Sequence, residues 1–427
     1  MRRVICAPAG LIPDELYDDV KYFCTYGNPH RNGVGYFAPS ICRDLRRCGI
    51  TPTLPCWDFA TIAFSVIAAD NAVSRSRCED GWTRQIELDI HICNPEAWEQ
   101  VKELFQNTLR FLTGDFWYLR FLPDGTPPPQ PRRAREYEND CVCLLSGGMD
   151  SLIGAIDIVA QNRKPIFVSQ TVQGNADSQN LFAEQIAQAL PHFQWSHKLH
   201  LPGGESEDST RSRSIAFLAL AALASSAVHA GDATPVEIHM PENGLISLNI
   251  ALHSGRTGSF STKTTHPKYI SGIQGIWDAT GIHSRIVSRY RFKTKGEMVS
   301  ECLNPTLLLE LIGSSTSCGK FGRYARQHCG RCVPCMVRRA AFLHADIADS
   351  TPRGYWYQNL STNGGLNGSN DVSAMAIACL TYLEAGIESL IKGGLSFASS
   401  AEKDDYKNML ARGFDELTSL LTQHGVI

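Results

Sequence analysis

The chain has 427 residues, which leaves room for two or three domains of ordinary size. Its formal net charge of −3 argues against a protein that coats nucleic acid by charge alone, so no direct nucleic-acid binding is expected. No apolar run of about eighteen residues occurs, so no membrane span is predicted. The 15 cysteines are an odd number in a chain without a secretion signal, which favours a reducing cytoplasm and a bound metal over a disulfide framework.

Residues 1–124 are predicted to form a first domain of α+β type. Apolar spacing predicts helices over 58–72 and 95–112, and alternation predicts strands over 84–93 and 116–121. The cysteines of this region lack close paired spacing and are interpreted as core or surface thiols. The spacing of this region indicates no chemistry.

A proline-rich segment at 125–140 follows. Proline neither continues a helix nor pairs inside a sheet, so the segment is predicted to be a linker and a domain boundary.

Strands and helices alternate over residues 141–350, which is typical of a doubly wound parallel sheet in an α/β domain. In such sheets, ligands bind beyond the carboxyl ends of the strands. The predicted strands are 142–145, 165–169, 193–201, 235–240 and 286–292, and the predicted helices are 152–160, 178–190 and 210–230.

The strongest motif is Ser146-Gly147-Gly148-Met149-Asp150-Ser151, between a short apolar strand and a helical segment. Glycines let backbone N–H groups approach an anion, and the N-terminus of the following helix adds partial positive charge. Asp150 beside phosphates needs a cation, for which Mg²⁺ bound to ATP oxygens is the natural choice. The motif lacks the Gly-Lys-Ser/Thr of the Walker pattern. It resembles the pyrophosphate loop, or PP-loop, of enzymes that split ATP between the α- and β-phosphates.

Further polar residues are expected at the same edge of the sheet. Ser169 and Gln170 end one predicted strand, and Glu242 follows another. Glu242 suits the paired N–H groups of a guanine-like edge. Arg213 opens the long helix, where it could reach a triphosphate or remain a solvated surface arginine.

The stretch 244–295 is interpreted as functional rather than architectural. Its polar run at 256–267 is typical of a binding loop or of a disordered segment. Within it, His266 could take a proton from an attacking amine or simply hydrogen-bond inside the loop. Lys295 could neutralise an acidic substrate or pyrophosphate, or begin an exposed helix.

Four cysteines form the second strong signal, with the spacing C-x10-C-x2-C-x2-C: Cys318, Cys329, Cys332 and Cys335. Four thiolates make a closed tetrahedral site, which predicts structural Zn²⁺ that folds its loop and takes no part in catalysis. An iron–sulfur cluster and unliganded thiols remain alternatives. Three arginines at 331, 338 and 339 could offset the negative charge of the thiolates.

The two motifs together resemble the QueC-like family, the 7-cyano-7-deazaguanine synthases, over roughly residues 140–345. The resemblance implies a PP-loop (HUP, or adenine nucleotide alpha hydrolase-like) fold that binds ATP and Mg²⁺, with a structural zinc ion. It also implies that ATP activates the carboxylate of a 7-deazaguanine as an acyl-adenylate before an amide is formed. By position, Lys295 and Glu297 correspond to the Lys-x-Glu segment of the family.

The chain is longer than ordinary members, and its 242–249 and 261–267 segments depart from the expected substrate loop. It is more similar to the large QueC-like proteins of antiphage defence operons, in the Qat system and in type IV CBASS. For these the resemblance implies the same chemistry directed onto a protein amine, such as the N-terminus of an operon-encoded partner. The alternatives are a plain synthase, a nucleotide-binding subunit with a structural role, and a tRNA-modifying enzyme.

The tail at 351–427 is predicted to be a helical extension, with helices over 371–391 and 401–424. Leu410, Phe414 and Leu417 lie on one face of the second helix. That face either packs on its own protein or docks a partner.

Overall fold

The structure is a computed structural model. It describes residues 2–171, 176–204, 206–228, 234–252, 263–360, 371–391 and 393–427. None of the helices in these ranges combines the length and the apolar composition needed to cross a membrane.

The N-terminal part alternates between strands and helices. Its elements are β1 (Arg2–Ala7), β2 (Val20–Thr25), β3 (Val34–Phe37), α1 (Ile41–Cys48), α2 (Leu54–Ala72), β4 (Gln85–His91), α3 (Pro95–Glu99), α4 (Lys102–Thr113) and β5 (Phe116–Leu122). The helix predicted over 95–112 is therefore two helices, which meet near Val101, whose φ of −106° and ψ of 5° depart from helical values.

The middle of the chain continues the alternation. Its elements are β6 (Cys141–Leu144), α5 (Met149–Ala160), β7 (Pro165–Gln170), α6 (Ala176–Ala187), β8 (His192–Trp195), β9 (Leu199–His200), α7 (Ser214–Ser225), β10 (Val236–His239), α8 (Gly244–Leu248), α9 (Pro267–Thr280) and β11 (Ser284–Val287).

Helices dominate the C-terminal part. They are α10 (Lys295–Ser300), α11 (Pro305–Leu311), α12 (Val333–His344), α13 (Asp371–Ala385), α14 (Glu388–Ile391) and α15 (Ser400–Gln423).

One sheet has the order β5-β4-β1-β2-β3-β9. Its pairs are parallel except for β9, which runs antiparallel to β3. The prediction of an α+β region is wrong in this respect, because α3 and α4 connect two parallel neighbours, β4 and β5. The strand predicted over 193–201 is also wrong. The chain leaves one sheet after Trp195 and joins the other at Leu199, and the amide of Ala38 donates to the carbonyls of His197 and Lys198.

The other sheet has the order β11-β10-β6-β7-β8 and is parallel throughout, as predicted. Alternate residues of β6 face different cores. Val142 and Leu144 pack with α7, whereas Cys141 and Cys143 pack with α5. Helices thus cover both faces, as parallel sheets require.

Helices α2 and α7 pack against each other between the two sheets. Both are apolar on nearly every side, because each meets a sheet on one face and a helix on another. The core that they form takes residues from both sides of the 125–140 segment, from Val4 to Ile282.

The C-terminal helices have a core of their own with α8 and α12. Leu410, Phe414 and Leu417 of α15 are buried there, so the apolar face of this helix packs on its own protein, which was one of the two predicted outcomes. The stretch 244–295 contains α8, α9 and β11, so it is more architectural than predicted. Residues 256–262, which make up most of its polar run, lie outside the described residues.

A buried ionic network joins the N-terminal sheet to the start of α7. Arg84 is fully buried and donates to Asp115 Oδ2 at 2.7 Å and to Asp70. Arg75 binds the same Asp115 through two bonds of 2.6 and 2.8 Å. The other oxygen of Asp70 accepts from the amide and the hydroxyl of Ser212. Asp70 and Asp115 thus each neutralise a buried guanidinium group and hold together segments that are distant in sequence.

Asp115→Asn should lower the free energy of unfolding by about 3–5 kcal/mol, because it leaves two buried guanidinium groups short of counter-charge. Urea denaturation measures this loss. The matched control is Lys102→Gln, which removes the exposed pair with Glu99 and should cost about 0–1 kcal/mol. A loss as small as that of the control would contradict a structural role for the network.

The same network predicts a pH dependence. Burial alone would raise the pKa of Asp115, but Arg84 and Arg75 outweigh it and hold the pKa below its ordinary range. A lowered folded-state pKa stabilises the fold above the unfolded carboxyl value of about 3.9. The stability difference between wild type and Asp115→Asn should therefore shrink as the pH falls below about 4, which acid titration of the urea midpoint can measure.

Candidate functional site

The strand order of the all-parallel sheet reverses between β6 and β10, from which the chain winds outward in opposite directions. Such a reversal leaves a crevice beyond the carboxyl ends of the two strands. The 146–151 segment follows β6, and Glu242 and Asn243 follow β10. The sheet topology therefore brings together two segments that are almost a hundred residues apart in sequence.

The 146–151 loop is tightly cross-linked by its own serines. Ser151 Oγ accepts from the amide of Ser146 at 3.1 Å and donates to the carbonyl of Gly148 at 3.0 Å. The Ser146 hydroxyl accepts from the amide of Gly148 at 3.3 Å. Gly147 has a φ of +84°, which favours glycine. The last three residues of the 146–151 segment are already helical, because the buried Met149 is the first residue of α5.

The loop lines a cavity of about 210 Å³. Its wall includes Ser146, Gly148, Met149, Asp150, Ser151, Glu242 and Lys295, together with Thr316, Ser317 and Pro334. Seven of the residues singled out in the sequence thus share one cavity, and the last three named were not predicted. Their signal was position alone, since Thr316 and Ser317 directly precede Cys318.

Asp150 is the centre of a buried polar cluster. One of its oxygens pairs with the ammonium of Lys295, and both side chains are at most 7% exposed. The other oxygen accepts from Asn243 twice, at 2.7 Å from the side-chain amide and at 3.2 Å from the backbone. Asn243 also caps α8 through a bond from the amide of Ile246, so the strand–helix junction fixes its direction.

The two carboxyl groups of this cluster have opposite pKa shifts. Burial would raise the pKa of Asp150, but the charge of Lys295 outweighs it and the pKa falls below its usual range. Burial and then the charge of Asp150 raise the pKa of Glu242 well above its usual range. Burial and the Asp150 charge thus both favour the protonated form of Glu242. A protonated carboxyl can donate one hydrogen bond.

The four cysteines lie within reach of one ion. Their sulfur atoms are all within 4.8 Å of one another and are buried. Contacts with Cys318 lower the pKa of Cys329 and raise those of Cys332 and Cys335, so the four thiols do not ionise together by themselves. A bound cation would hold all four as thiolates, and the donor set fits a tetrahedral metal. The cluster could therefore bind a metal.

The arginines near the cluster donate hydrogen bonds to backbone carbonyl groups. Arg338 donates to the carbonyls of Ser315 and Ile312, and Arg339 donates to the carbonyl of Gln358. Arg331 donates to the carbonyl of Asn359.

The cysteine-rich segment also supports the 146–151 loop. The amide of Thr316 donates to the carbonyl of Gly147 at 2.9 Å. A Cβ on Gly148 would lie 3.4 Å from the carbonyl oxygen of Thr316, so the loop and the segment before Cys318 are in contact. The adjacent Ser317 amide donates to His328 Nε2 at 3.1 Å. The cysteine-rich segment and the loop thus form one wall of the cavity.

Gln170 and Arg213 line a second cavity, of about 320 Å³. The Gln170 side chain donates to His197 at 2.8 Å, and its Oε1 is buried with no hydrogen-bond partner among the described residues. Gln179 donates to the carbonyls of both Ser146 and Gln170, so it joins this cavity to the 146–151 loop. Ser169 is fully buried and donates to the carbonyl of Leu145, so its side chain lies in the protein interior and not on a cavity surface.

His266 lies apart from the Asp150 cluster, in a cavity of about 620 Å³. It caps α9 through a bond from the amide of Lys268, and its ring contacts Phe111 and Phe397. Burial and the nearby lysines lower its pKa to about 4. The two cavities are not isolated. A groove of about 530 Å³ shares Ile246 with the 210 Å³ cavity of the 146–151 loop and Asn249 with the 620 Å³ cavity of His266.

Comparisons with protein-family models, with curated proteins and with solved structures found no match.

Replacing a cysteine of the cluster should remove the metal and loosen the wall. We expect about one zinc ion per chain in the wild type and none in Cys332→Ser, by metal analysis. Structural zinc contributes on the order of 10 kcal/mol in small zinc-folded units, so Cys332→Ser should melt well below wild type. Cys78→Ser, a half-buried thiol outside the cluster, is the control. A metal-free Cys332→Ser protein that melts like wild type would show that the cluster does not stabilise the fold.

Proposed function

We propose that this protein is a QueC-like PP-loop enzyme that splits Mg²⁺–ATP into AMP and pyrophosphate to activate a carboxylate. The observation that carries the proposal is the buried Asp150–Lys295 pair beside the 146–151 loop, at the reversal of a parallel sheet. A purely structural turn needs neither a buried carboxylate nor a buried ammonium, because each is costly to remove from water. A phosphate site uses both.

ATP would lie across the carboxyl ends of β6 and β7. The loop amides and the start of α5 suit the phosphates, and Lys295 can turn from Asp150 to a phosphate oxygen. Asp150 would hold Mg²⁺, which neutralises phosphate charge when bound. The unpartnered Oε1 of Gln170 and the guanidinium of Arg213 offer an acceptor and donors to the rest of the nucleotide.

The reaction proposed is adenylation followed by amide formation. An oxygen of the substrate carboxylate attacks the α-phosphorus, the bond from that phosphorus to the bridging oxygen breaks, and pyrophosphate leaves with the electron pair. An amine nitrogen then attacks the acyl carbon and loses a proton, and AMP leaves as the amide forms. Lys295 stabilises the charge that develops on the phosphates. Burial and the charge of Asp150 favour the protonated form of Glu242, which can donate a hydrogen bond to the substrate carboxylate.

The substrate class follows from the resemblance to QueC-like enzymes, which implies a 7-deazaguanine carboxylate. The groove that adjoins the 146–151 cavity has room for more than ammonia. Its largely apolar wall includes Leu245, Ile250, Val337 and Phe414. A flat, apolar ring would fit this lining. His266 lines the 620 Å³ cavity that adjoins this groove on the side away from the 146–151 loop. A role of His266 as the base toward the amine therefore requires an acceptor that spans the groove.

The zinc ion is proposed for the four-cysteine cluster, where it would stabilise the wall behind the loop. The closed donor set leaves no position for a substrate, so zinc would not enter the reaction.

The amine is proposed to belong to an operon-encoded partner protein of an antiphage system. The competing proposal is the plain synthase, in which ammonia is the acceptor and the amide is dehydrated to a nitrile. Intact-mass spectra of co-expressed partners, with and without this protein, separate the two. An added deazaguanine acyl mass on a partner supports conjugation. Unmodified partners together with free nitrile support the synthase.

The first step is tested with purified protein, Mg²⁺–ATP and 7-carboxy-7-deazaguanine. We expect AMP and pyrophosphate, and we expect Lys295→Gln to lower their rate by about 10²–10³-fold, because one charge-stabilising donor is lost. Lys293→Gln is the matched control. Lys293 is two residues earlier and binds Glu301 at the surface.

ADP and phosphate as the sole products would contradict the proposal, as would equal activity of the two lysine variants. Tight ATP binding with no AMP from any carboxylate would instead favour the nucleotide-binding subunit.

A further inference from the structure

Lys295 is placed by a short helix that has its own local support. It is the first residue of α10, and Thr294 is the N-cap. The Thr294 hydroxyl accepts from the amide of Glu297 at 3.0 Å, while the Glu297 carboxylate accepts from the amide of Thr294 at 2.8 Å. This capping box fixes the first turn of α10 but not its position in the fold.

The position of α10 is fixed from α15, on the side away from Asp150. The Glu416 carboxylate accepts from the Thr294 hydroxyl, and it accepts from the amide of Gly296 at 3.3 Å. Glu416 is 7% exposed and Thr294 is fully buried. These two bonds hold the residues immediately before and after Lys295.

A second residue of α15 completes the hold. Arg412 lies one helical turn before Glu416 and donates to the Glu297 carboxylate and to the carbonyl of Phe292 at 3.0 Å. It thus links the capping box to the chain that enters α10.

Gly296 is in close contact with the Glu416 side chain. A Cβ on Gly296 would lie 2.5 Å from the Glu416 carboxylate, closer than real Cβ contacts. On its own helix, Glu416 neighbours the apolar residues Phe414 and Leu417, which line the groove of the proposed substrate. Helix α15 therefore touches both the start of α10 and the groove.

We infer that Glu416 is a positioning residue, which sets the direction of Lys295 toward Asp150 through its hydrogen bonds to Thr294 and Gly296. The effect of Glu416 on turnover rests on the proposed function, whereas its effect on the placement of Lys295 does not. Within the described part of the chain, Glu416 is not among the residues that line the cavity of the 146–151 loop; besides α10 it faces His344 Nδ1 of α12, at 3.7 Å.

The test compares Glu416→Gln with Asp415→Asn. The glutamine keeps the size of the side chain but turns an NH₂ group toward one of the two donors, so one bond is lost. Asp415 is the matched control, because it precedes Glu416 on α15 and its side chain binds only the half-buried Tyr382 among the hydrogen bonds described. Both variants should retain the wild-type melting temperature to within a few degrees and the wild-type metal content.

Two readouts are measured on each variant. Pyrophosphate release should show a fall in kcat of at least ~10-fold for Glu416→Gln with a less than ~2-fold change in the KM for ATP, because misplacement of a catalytic group by a fraction of an ångström affects the chemical step. Competitive labelling with a small amine-reactive reagent, followed by peptide mass spectrometry, gives the rate of Lys295 modification relative to that of Lys293. In Glu416→Gln this ratio should be at least ~3-fold higher than in wild type. Asp415→Asn should match wild type in both.

Unchanged labelling and unchanged kcat in Glu416→Gln would overturn the inference. A wild-type protein that releases no pyrophosphate would refute the proposed function, while the labelling ratio would still decide whether Glu416 places Lys295. Should Glu416→Gln fold poorly, Thr294→Ser and Thr294→Val replace it. The serine keeps the hydroxyl and should behave as wild type, and the valine should reproduce the fast labelling. Equal labelling of these two variants would also overturn the inference.

Discussion

The buried pair between Asp150 and Lys295 is the constraint on which the rest of the site depends. An uncompensated charge in the interior costs several kcal/mol, so each member needs the other or a substitute of opposite charge. The surroundings satisfy this need from several directions: Asn243 supplies two donors to Asp150, and α10 presents Lys295 from its first residue. A ligand that brings both phosphate and a metal ion offers each partner a replacement, so the pair can open without leaving a charge alone.

The site is also a meeting point of segments that have separate structural duties. The 146–151 loop belongs to the parallel sheet, Thr316 belongs to the cysteine-rich segment, and Gln179 belongs to α6. Each contributes a backbone or side-chain hydrogen bond to the same loop. A change in any of these elements therefore reaches the loop through one contact, without any need for a long pathway.

The parts of the site that could be predicted are those whose chemistry is written in consecutive residues. The 146–151 motif and the spacing of Cys318 to Cys335 each specify local geometry, and the structure brings each set together. Glu242 was assigned to the same edge as the 146–151 motif because strands of a doubly wound sheet end there, whereas Lys295 was predicted either to neutralise an acidic substrate or pyrophosphate or to begin an exposed helix. The contact of Lys295 with Asp150 and the role of Asn243 depend on sheet order, which periodicity does not specify. Glu416 had no signal beyond its place on an amphipathic helix.

The errors have physical causes of the same kind. The apolar residues Tyr269, Ile273 and Trp277 had helical spacing, but the polar residues before Pro267 drew the interpretation toward a loop, and His266 is the N-cap of the helix that follows. The split of 193–201 between two sheets leaves no mark in composition. The placement of β9 depends on β3, which lies far away in sequence.

The support of α10 by α15 has a consequence for biosynthesis. Gly296 and Glu416 are 120 residues apart, so a ribosome that adds 5–20 residues per second needs roughly 6–24 s to supply the second after the first. Throughout that interval, the nascent chain carries Lys295 and Asp150 without the helix that holds α10 in place, and the apolar face of α8 and α12 awaits its cover. The order of synthesis thus leaves the Asp150–Lys295 pair without its support from α15 until late in synthesis, and chaperones and proteases can reach it during that interval.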